Sequence, residues 1–418
     1  MRRRATPAEL PSAAKAAVAS ERQAGGGRVL AACCGAHALH DGYTDLLYVL
    51  LPVWQAEFGL ALAQVGFLRS AYSGAMAALQ IPAGLLAERL GERALLVLGT
   101  AVAAGAFLLA GWSGSYIALV GCLALGGLGA SVQHPLSSAL TARAFAGPRL
   151  RTALSTYNFS GDVGKMLFPA ATAWLVSAWQ WRATAQCMGL IGLAVATLLL
   201  GLVPKGAAAG KARRGRTDEQ RSSAPALPSS VARRGFVSLS LIGILDSATR
   251  MGFLTLLPFV LSAKGASLPA IGTALTLVFA GGATGKFVCG VLAARVGVLR
   301  TVILTEGGTA LGIVALLLLP LTAALVLLPL IGLALNGTSS VLYGTVAELA
   351  PAERRARAFA LFYTCTIGAG AVAPWLCGRV SDGIGLTATL TLISAAVFLV
   401  LPLSLPLRPI LRRLGHGR

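Results

Sequence analysis

Charged side chains are scarce in this chain: 12% of its 418 residues are Asp, Glu, Lys or Arg, about half the share usual in soluble globular proteins. Acids are scarcer still, with 15 Asp and Glu against 35 Lys and Arg. With 56% apolar residues and a mean hydropathy of +0.75, a soluble globular domain is excluded. Other things are missing as well. The seven cysteines (Cys33, Cys34, Cys122, Cys187, Cys289, Cys365 and Cys377) lie in or beside apolar segments. They show neither metal-ligand spacing nor an extracellular disulfide framework, and read as packing residues. No apolar run of its own follows Arg2, Arg3 and Arg4, so no cleaved secretory signal is expected, the first hydrophobic segment being the first spanning helix. There is no HExxH, no nucleotide fingerprint and no Gly-x-Ser-x-Gly. The tempting "GGATGKF" (281–287) misspaces its first glycine and puts Phe287 where a phosphate loop needs Ser or Thr. No enzyme activity, cofactor or metal is expected.

What the chain does have is long uncharged runs. "LLVLGTAVAAGAFLLAGW" (95–112) is one of twelve bounded by loop signals, each near the roughly 20 residues that a membrane-spanning helix needs. The expected fold is an all-α membrane protein. The net charge of +20 follows from topology, because 28 of the 35 basic residues fall on one side of a twelve-helix map. By the positive-inside rule that side is cytoplasmic and holds both termini, which removes the case for nucleic acid.

The polar, basic stretch 204–235 reads as a linker that halves the chain. It separates a tail (1–28) and a first six-helix bundle (29–203) from a second bundle (236–407) and a tail (408–418). Sliding one half over the other by 206 residues aligns 50–91 with 256–297 without a gap, and 12 of the 42 positions are identical. Among them are Leu50-Leu51-Pro52 with Leu256-Leu257-Pro258, Gly84 with Gly290, Arg89 with Arg295 and Gly91 with Gly297. Six helices per half make this a parallel repeat.

"GLLAERLGERALL" (84–96) resembles the signature loop between helices 2 and 3 of the major facilitator superfamily, with a decayed second copy in "GVLAARVGVLR" (290–300). Within it, His37…Asp41…Pro52…Gln55-x-Glu57-Phe58, "HPLSS" (134–138) and Gly161-x-x-Gly164…Pro169 resemble the fosmidomycin-resistance-type efflux branch. The resemblance implies two six-helix bundles related by pseudo-two-fold symmetry, working by alternating access as a monomer in the inner membrane. It also implies a cavity surrounded by helices 1, 2, 4, 5, 7, 8, 10 and 11. The signature residues Gly84, Glu88, Arg89, Gly91, Arg93, Gly290, Arg295 and Gly297 would form a conformational switch. Glu88 and the arginines would pair and meet a helix end, holding the halves together when the cavity faces outward.

A charge at the bilayer centre costs roughly 2.5–3.5 kcal/mol on insertion scales, so intramembrane ions face a partner or a wet cavity. At 100° per residue, His37, Asp41, Asp45, Tyr48 and Gln55 share one face of helix 1 within an arc of about 80°. Asp41, assisted by His37 or His40, is the expected proton-coupling carboxylate, and Asp45 lies nearer the outer half. Lys165, Asp162, His134, Gln133, Asp246, Arg250, Lys286 and Tyr48 are the candidate substrate contacts. Asp162 with Lys165 and Asp246 with Arg250 have helical spacing for pairing, and each pair reads either as functional or as neutralised packing. His134 before Pro135 reads either as a cavity group or as the partner of a carbonyl freed by a kink. Glu306, on helix 9, reads as a structural residue that snorkels to a neighbouring arginine.

The expected activity is secondary transport with a small molecule, protons and the lipid bilayer as partners. Proton-coupled antiport of a small polar, anionic or drug-like compound leads. A symporter or facilitator importing a small anion is the alternative, and a non-transporting sensor or intramembrane enzyme a minor one.

Overall fold

A computed structural model describes residues 12–204, 229–349 and 355–413. It is built from helices α1 Ser12–Phe58, α2 Leu62–Leu90, α3 Glu92–Ala110, α4 Tyr116–Ala130, α5 Gln133–Ala144, α6 Pro148–Leu202, α7 Ser229–Ala263, α8 Leu268–Val296, α9 Val298–Leu318, α10 Leu321–Leu349, α11 Arg355–Ile384, α12 Leu386–Val397, α13 Val400–Ser404 and α14 Leu407–Arg413. Helix is the physical default in hydrocarbon, where every backbone N–H and C=O must be satisfied within the segment.

Among the described residues nine helical stretches are long and apolar enough to cross a membrane. Twelve spans follow once three facts are added. Helices α1 and α2 fall short of that apolarity. The α6 helix is two spans, because Gln180 (φ 68°, ψ 161°) reverses the chain between 148–179 and 181–202. One span is shared by α4 and α5, which break at Ser131–Val132, three residues before Pro135 withholds its N–H.

Three boundaries differ from expectation. The first helix begins at Ser12, inside the stretch read as a tail, and α7 begins at Ser229, inside the stretch read as a linker. Beyond 407, α14 buries Leu407, Ile410 and Leu411 in the second-half core, so this part of the expected tail packs. The bulk of the basic linker, the first eleven residues and Arg354 lie outside the described residues.

Among the described residues the two halves approach most closely toward one end. The end bearing the α2–α3 and α8–α9 loops is called the basic face here. At the opposite face, α2 and α11 touch backbone to backbone: a side chain at Gly66 would strike the Pro374 carbonyl, and one at Gly378 the Leu62 carbonyl. The Asp382 carboxylate accepts from Leu62 N (2.8 Å) and Ala63 N (2.9 Å), and Ser70 Oγ accepts from Trp375 N (3.2 Å). A second contact joins α6 to α8, where Thr276 Oγ1 donates to Met166 O (2.6 Å). Toward the basic face these close backbone contacts end among the described residues. Gly84 and Gly290 look onto open space, while Ile81, Leu85, Leu361 and Phe287 are exposed. Among the described residues the molecule is closed at the opposite face and open at the basic face.

The switch loops fit that state. Gly91 and Gly297 turn tightly with φ of 86° and 91°, a region that glycine enters without steric cost. The ion pair seen here is Glu92–Arg143 (2.7 Å), inside the first half, and Arg93 donates to the Leu200 carbonyl. Glu88, Arg89 and Arg295 are exposed. The expected inter-half pairing of Glu88 with arginines is therefore not made while the basic face is open.

Candidate substrate and proton site

Helix α1 puts His37, Asp41, Asp45 and Tyr48 on one face, and all four are buried. Asp41 is the hub. Its Oδ2 lies 3.3 Å from His37 Nε2 and 3.3 Å from Lys165 Nζ, and its Oδ1 lies 3.5 Å from His134 Nε2. Three helices thus converge on one carboxylate, and the α4–α5 break is what aims His134 at it. The His37 ring stacks on Tyr157 at 4.2 Å and meets His134 edge-on at 5.1 Å.

One hydrogen bond bears on the His37 tautomer. His37 Nδ1 is 2.8 Å from the Tyr157 carbonyl oxygen, which can only accept, so Nδ1 carries a hydrogen. A neutral His37 then presents a bare Nε2 lone pair to Asp41 Oδ2. That contact is attractive only when one further proton sits on the histidine or on the carboxyl.

Other expectations are corrected. His40 points away from Asp41 to Thr100 Oγ1 on α3 (3.0 Å). Asp162 does not pair with Lys165: it accepts from Lys286 Nζ of α8 at 2.6 Å, across the two halves. Asp246 and Arg250 form no ion pair. Asp246 instead lies beside Glu306 of α9, both nearly fully buried (5% and 3% exposed). Glu306 is therefore buried beside an acid rather than snorkelling toward water. Gln133 is fully buried and donates to Tyr157 Oη (3.2 Å), beneath the site rather than facing it. Asp45, expected nearer water, is buried too.

Two contributors were not anticipated. Arg69 of α2 is 1% exposed, lies over the Tyr48 ring at 4.9 Å, donates to Tyr48 Oη (3.2 Å) and reaches Ser73. An arginine inside "GFLRSAYSG" was its visible signal. Tyr157, which orients His37 and Gln133, carried no charge to attract notice. Tyr48 Oη in turn donates to Met251 Sδ of α7 (3.3 Å), so the α1 stripe touches the second half. There Arg250, whose Nε has no hydrogen-bond partner, lines a 40 Å³ cavity with Asp246, Ser247, Tyr343 and Thr366.

A cavity between two six-helix halves, open on one side and lined by partly neutralised charges, defines a secondary transporter working by alternating access. The sequence model of the Major Facilitator Superfamily matches residues 33–243 and 239–416, and the chain belongs to that family. It is a multi-pass membrane transporter of small molecules and not an enzyme.

Among curated relatives, it is 28% identical over 171 residues to the fosmidomycin resistance protein of Escherichia coli (strain K12), covering 40% of this chain and 42% of that protein. It is 34% identical over 127 residues to a cephamycin export protein of Amycolatopsis lactamdurans, covering 30% and 26%. The alignments thus span less than half the length of these curated relatives. Among solved structures, a bacterial homologue of the human lysosomal transporter Spinster, inward-facing and unoccupied, superposes with a TM-score of 0.73 at 18% identity. That match covers 93% of this chain and 98% of the homologue. The peptide transporter POT in complex with sulfate gives 0.76 at 14% identity, covering 92% and 95%. These likenesses concern the fold.

Proposed function

We propose that this transporter is driven by protons, that Asp41 with His37 is its coupling site, and that it exports a small polar, anionic or drug-like compound by antiport. The observation that carries the reading is the shared carboxylate: His37, His134 and Lys165 all engage Asp41, and the His37 tautomer leaves room for one more proton. A proton on Asp41 releases Lys165. A proton lost restores the pair. Because the Lys286–Asp162 bridge joins the halves beside this cluster, a change in local charge acts on the contact between them. Curated relatives named for fosmidomycin resistance and cephamycin export support the outward direction. The positive-inside distribution supports the inner membrane, with the basic face and both termini in the cytoplasm. The chain is proposed to act as a monomer of two bundles joined by the 204–235 segment.

The same pairing bears on direction. A substrate that offers Asp41 a cation or a hydrogen-bond donor displaces the proton, as antiport requires. An anion that draws Lys165 away leaves Asp41 uncompensated and recruits a proton with it, which is the sign of symport. The unpartnered Nε of Arg250 in its polar cavity favours this second reading, import of a small anion. The two readings separate in an unbuffered solution of detergent-solubilised protein with a pH electrode. Adding a substrate releases protons if antiport is correct and takes them up if symport is. A purified protein that transports its substrate in liposomes with neither a proton gradient requirement nor a pH response would end both.

A further inference from the structure

We propose that His37, Asp41 and His134 form a binding site for a divalent transition-metal ion of the zinc type. Nothing in the spacing of these residues along the chain suggests it, because His134 arrives from α5 while the other two lie one turn apart on α1. In space their ligand atoms all fall within 4.8 Å of one another.

Three features point to a metal ion beyond mere proximity. The first is distance. Two ligands about 2.0–2.2 Å from one tetrahedral ion stand roughly 3.3–3.6 Å apart; His37 Nε2 is 3.3 Å from Asp41 Oδ2 and His134 Nε2 is 3.5 Å from Asp41 Oδ1, so the two imidazoles flank the two oxygens of one carboxylate. The second is the backing of His37. Its Nδ1–H donates to the Tyr157 carbonyl, the arrangement that fixes a ligating histidine and directs its other lone pair inward. The third is a cradle. A Cβ at Gly161 of α6 would stand 2.6 Å from His37 Nε2 and 2.7 Å from Asp41 Oδ2, so the absence of a side chain there keeps the space beside both ligand atoms clear. His134, whose side chain is 40% exposed, lies toward the cavity and gives a path in.

Imidazole nitrogens with one carboxylate oxygen suit zinc and its neighbours and not magnesium, which takes an all-oxygen shell. The competing group is Lys165, whose ammonium is 3.3 Å from Asp41 Oδ2. An arriving ion must displace it, and Asp162 one turn back on α6 can receive it. Lysine and metal therefore exclude each other at Asp41. The binding proposal stands apart from transport. Its consequence, that the ion arrests transport by occupying the coupling carboxylate, rests on the reading above.

The test uses full-length protein carrying a tag without histidine, in detergent, titrated with Zn²⁺ against a chromophoric chelator and followed by thermal unfolding. The parent binds one Zn²⁺ per chain and gains thermal stability from it, while Mg²⁺ does neither. His134→Ala and Gly161→Ala each weaken binding tenfold or more, the first by removing a ligand and the second by filling the cradle. Lys165→Met tightens binding, which guards against variants that lose the ion only because they fold poorly. Absence of stoichiometric Zn²⁺ on the parent, undiminished binding in both His134→Ala and Gly161→Ala, or unchanged or weaker binding in Lys165→Met would overturn the proposal. Proton coupling is read separately by transport with Asp41→Asn, so either idea can fail alone.

Discussion

Asp382 holds the opposite face shut. Its two carboxylate oxygens cap the first turn of α2 from the end of α11, at 2.8 and 2.9 Å from the amides of Leu62 and Ala63. Those amides are among the four at a helix start with no internal acceptor, and the helix dipole adds to their pull on an anion. Charge-assisted hydrogen bonds of this kind contribute roughly 1.5–3 kcal/mol each when well shielded. The site is exposed, so solvent screening reduces the pair to about 1–2 kcal/mol in total. The contact joins the two halves and cannot survive opening of this face, so its loss falls directly on the conformational equilibrium. Asp382→Ala should raise the ratio of open to closed opposite faces roughly tenfold, since 1.4 kcal/mol is one decade, and Asp382→Asn by less. Spin labels at Gly114 and Thr322, exposed positions on the opposite face in different halves, report the ratio by double electron–electron resonance in nanodiscs. A distance distribution unchanged in Asp382→Ala would refute the latch.

Three other outcomes follow from the packing. Gly66→Leu sets a side chain against the Pro374 carbonyl backbone, so the opposite face cannot close. A membrane-impermeant thiol reagent should then reach a cysteine at Ser70 faster than in the parent. Arg69→Ala removes a buried guanidinium bonded to Tyr48 and stacked on its ring, at a cost of about 2–3 kcal/mol, read as a fall of several degrees in thermal midpoint. Glu306→Gln keeps a neutral donor toward Asp246 and should leave the midpoint within about a degree of the parent. Glu306→Leu orphans the Asp246 carboxyl and should lower it by an amount corresponding to about 2–3 kcal/mol. Equal effects of the two substitutions would show that Glu306 is not donating.

Much of the frame was legible because it follows from solvation. Uncharged runs of spanning length, basic loops on one side and an internal repeat around Leu50-Leu51-Pro52 all register in composition and periodicity. The α1 stripe was legible for the same reason, since one helix imposes its own angular order on His37, Asp41 and Asp45. Pairing between helices was not. Helical spacing suggested Asp162 with Lys165 and Asp246 with Arg250, yet each acid found its partner on another helix, Lys286 and Glu306. Spacing says which side chains share a face and nothing about what that face meets. His40 shows the same limit in reverse: its chemistry matched the cluster, but its angle on α1 sends it to Thr100. Glu306 misled because an acid near a helix end has a cheap alternative in water, and only its burial in the folded chain, 3% exposed, shows that it does not take it.

The central claim is that Asp41 carries the coupling proton, and transport by Asp41→Asn in proteoliposomes tests it most directly. Asparagine keeps the size and hydrogen-bonding reach of the carboxyl but can hold no exchangeable charge. With a substrate identified by thermal shift, substrate movement driven by an imposed pH gradient should vanish in Asp41→Asn, while gradient-free exchange of labelled for unlabelled substrate continues. Gradient-driven accumulation equal to that of the parent would contradict the assignment.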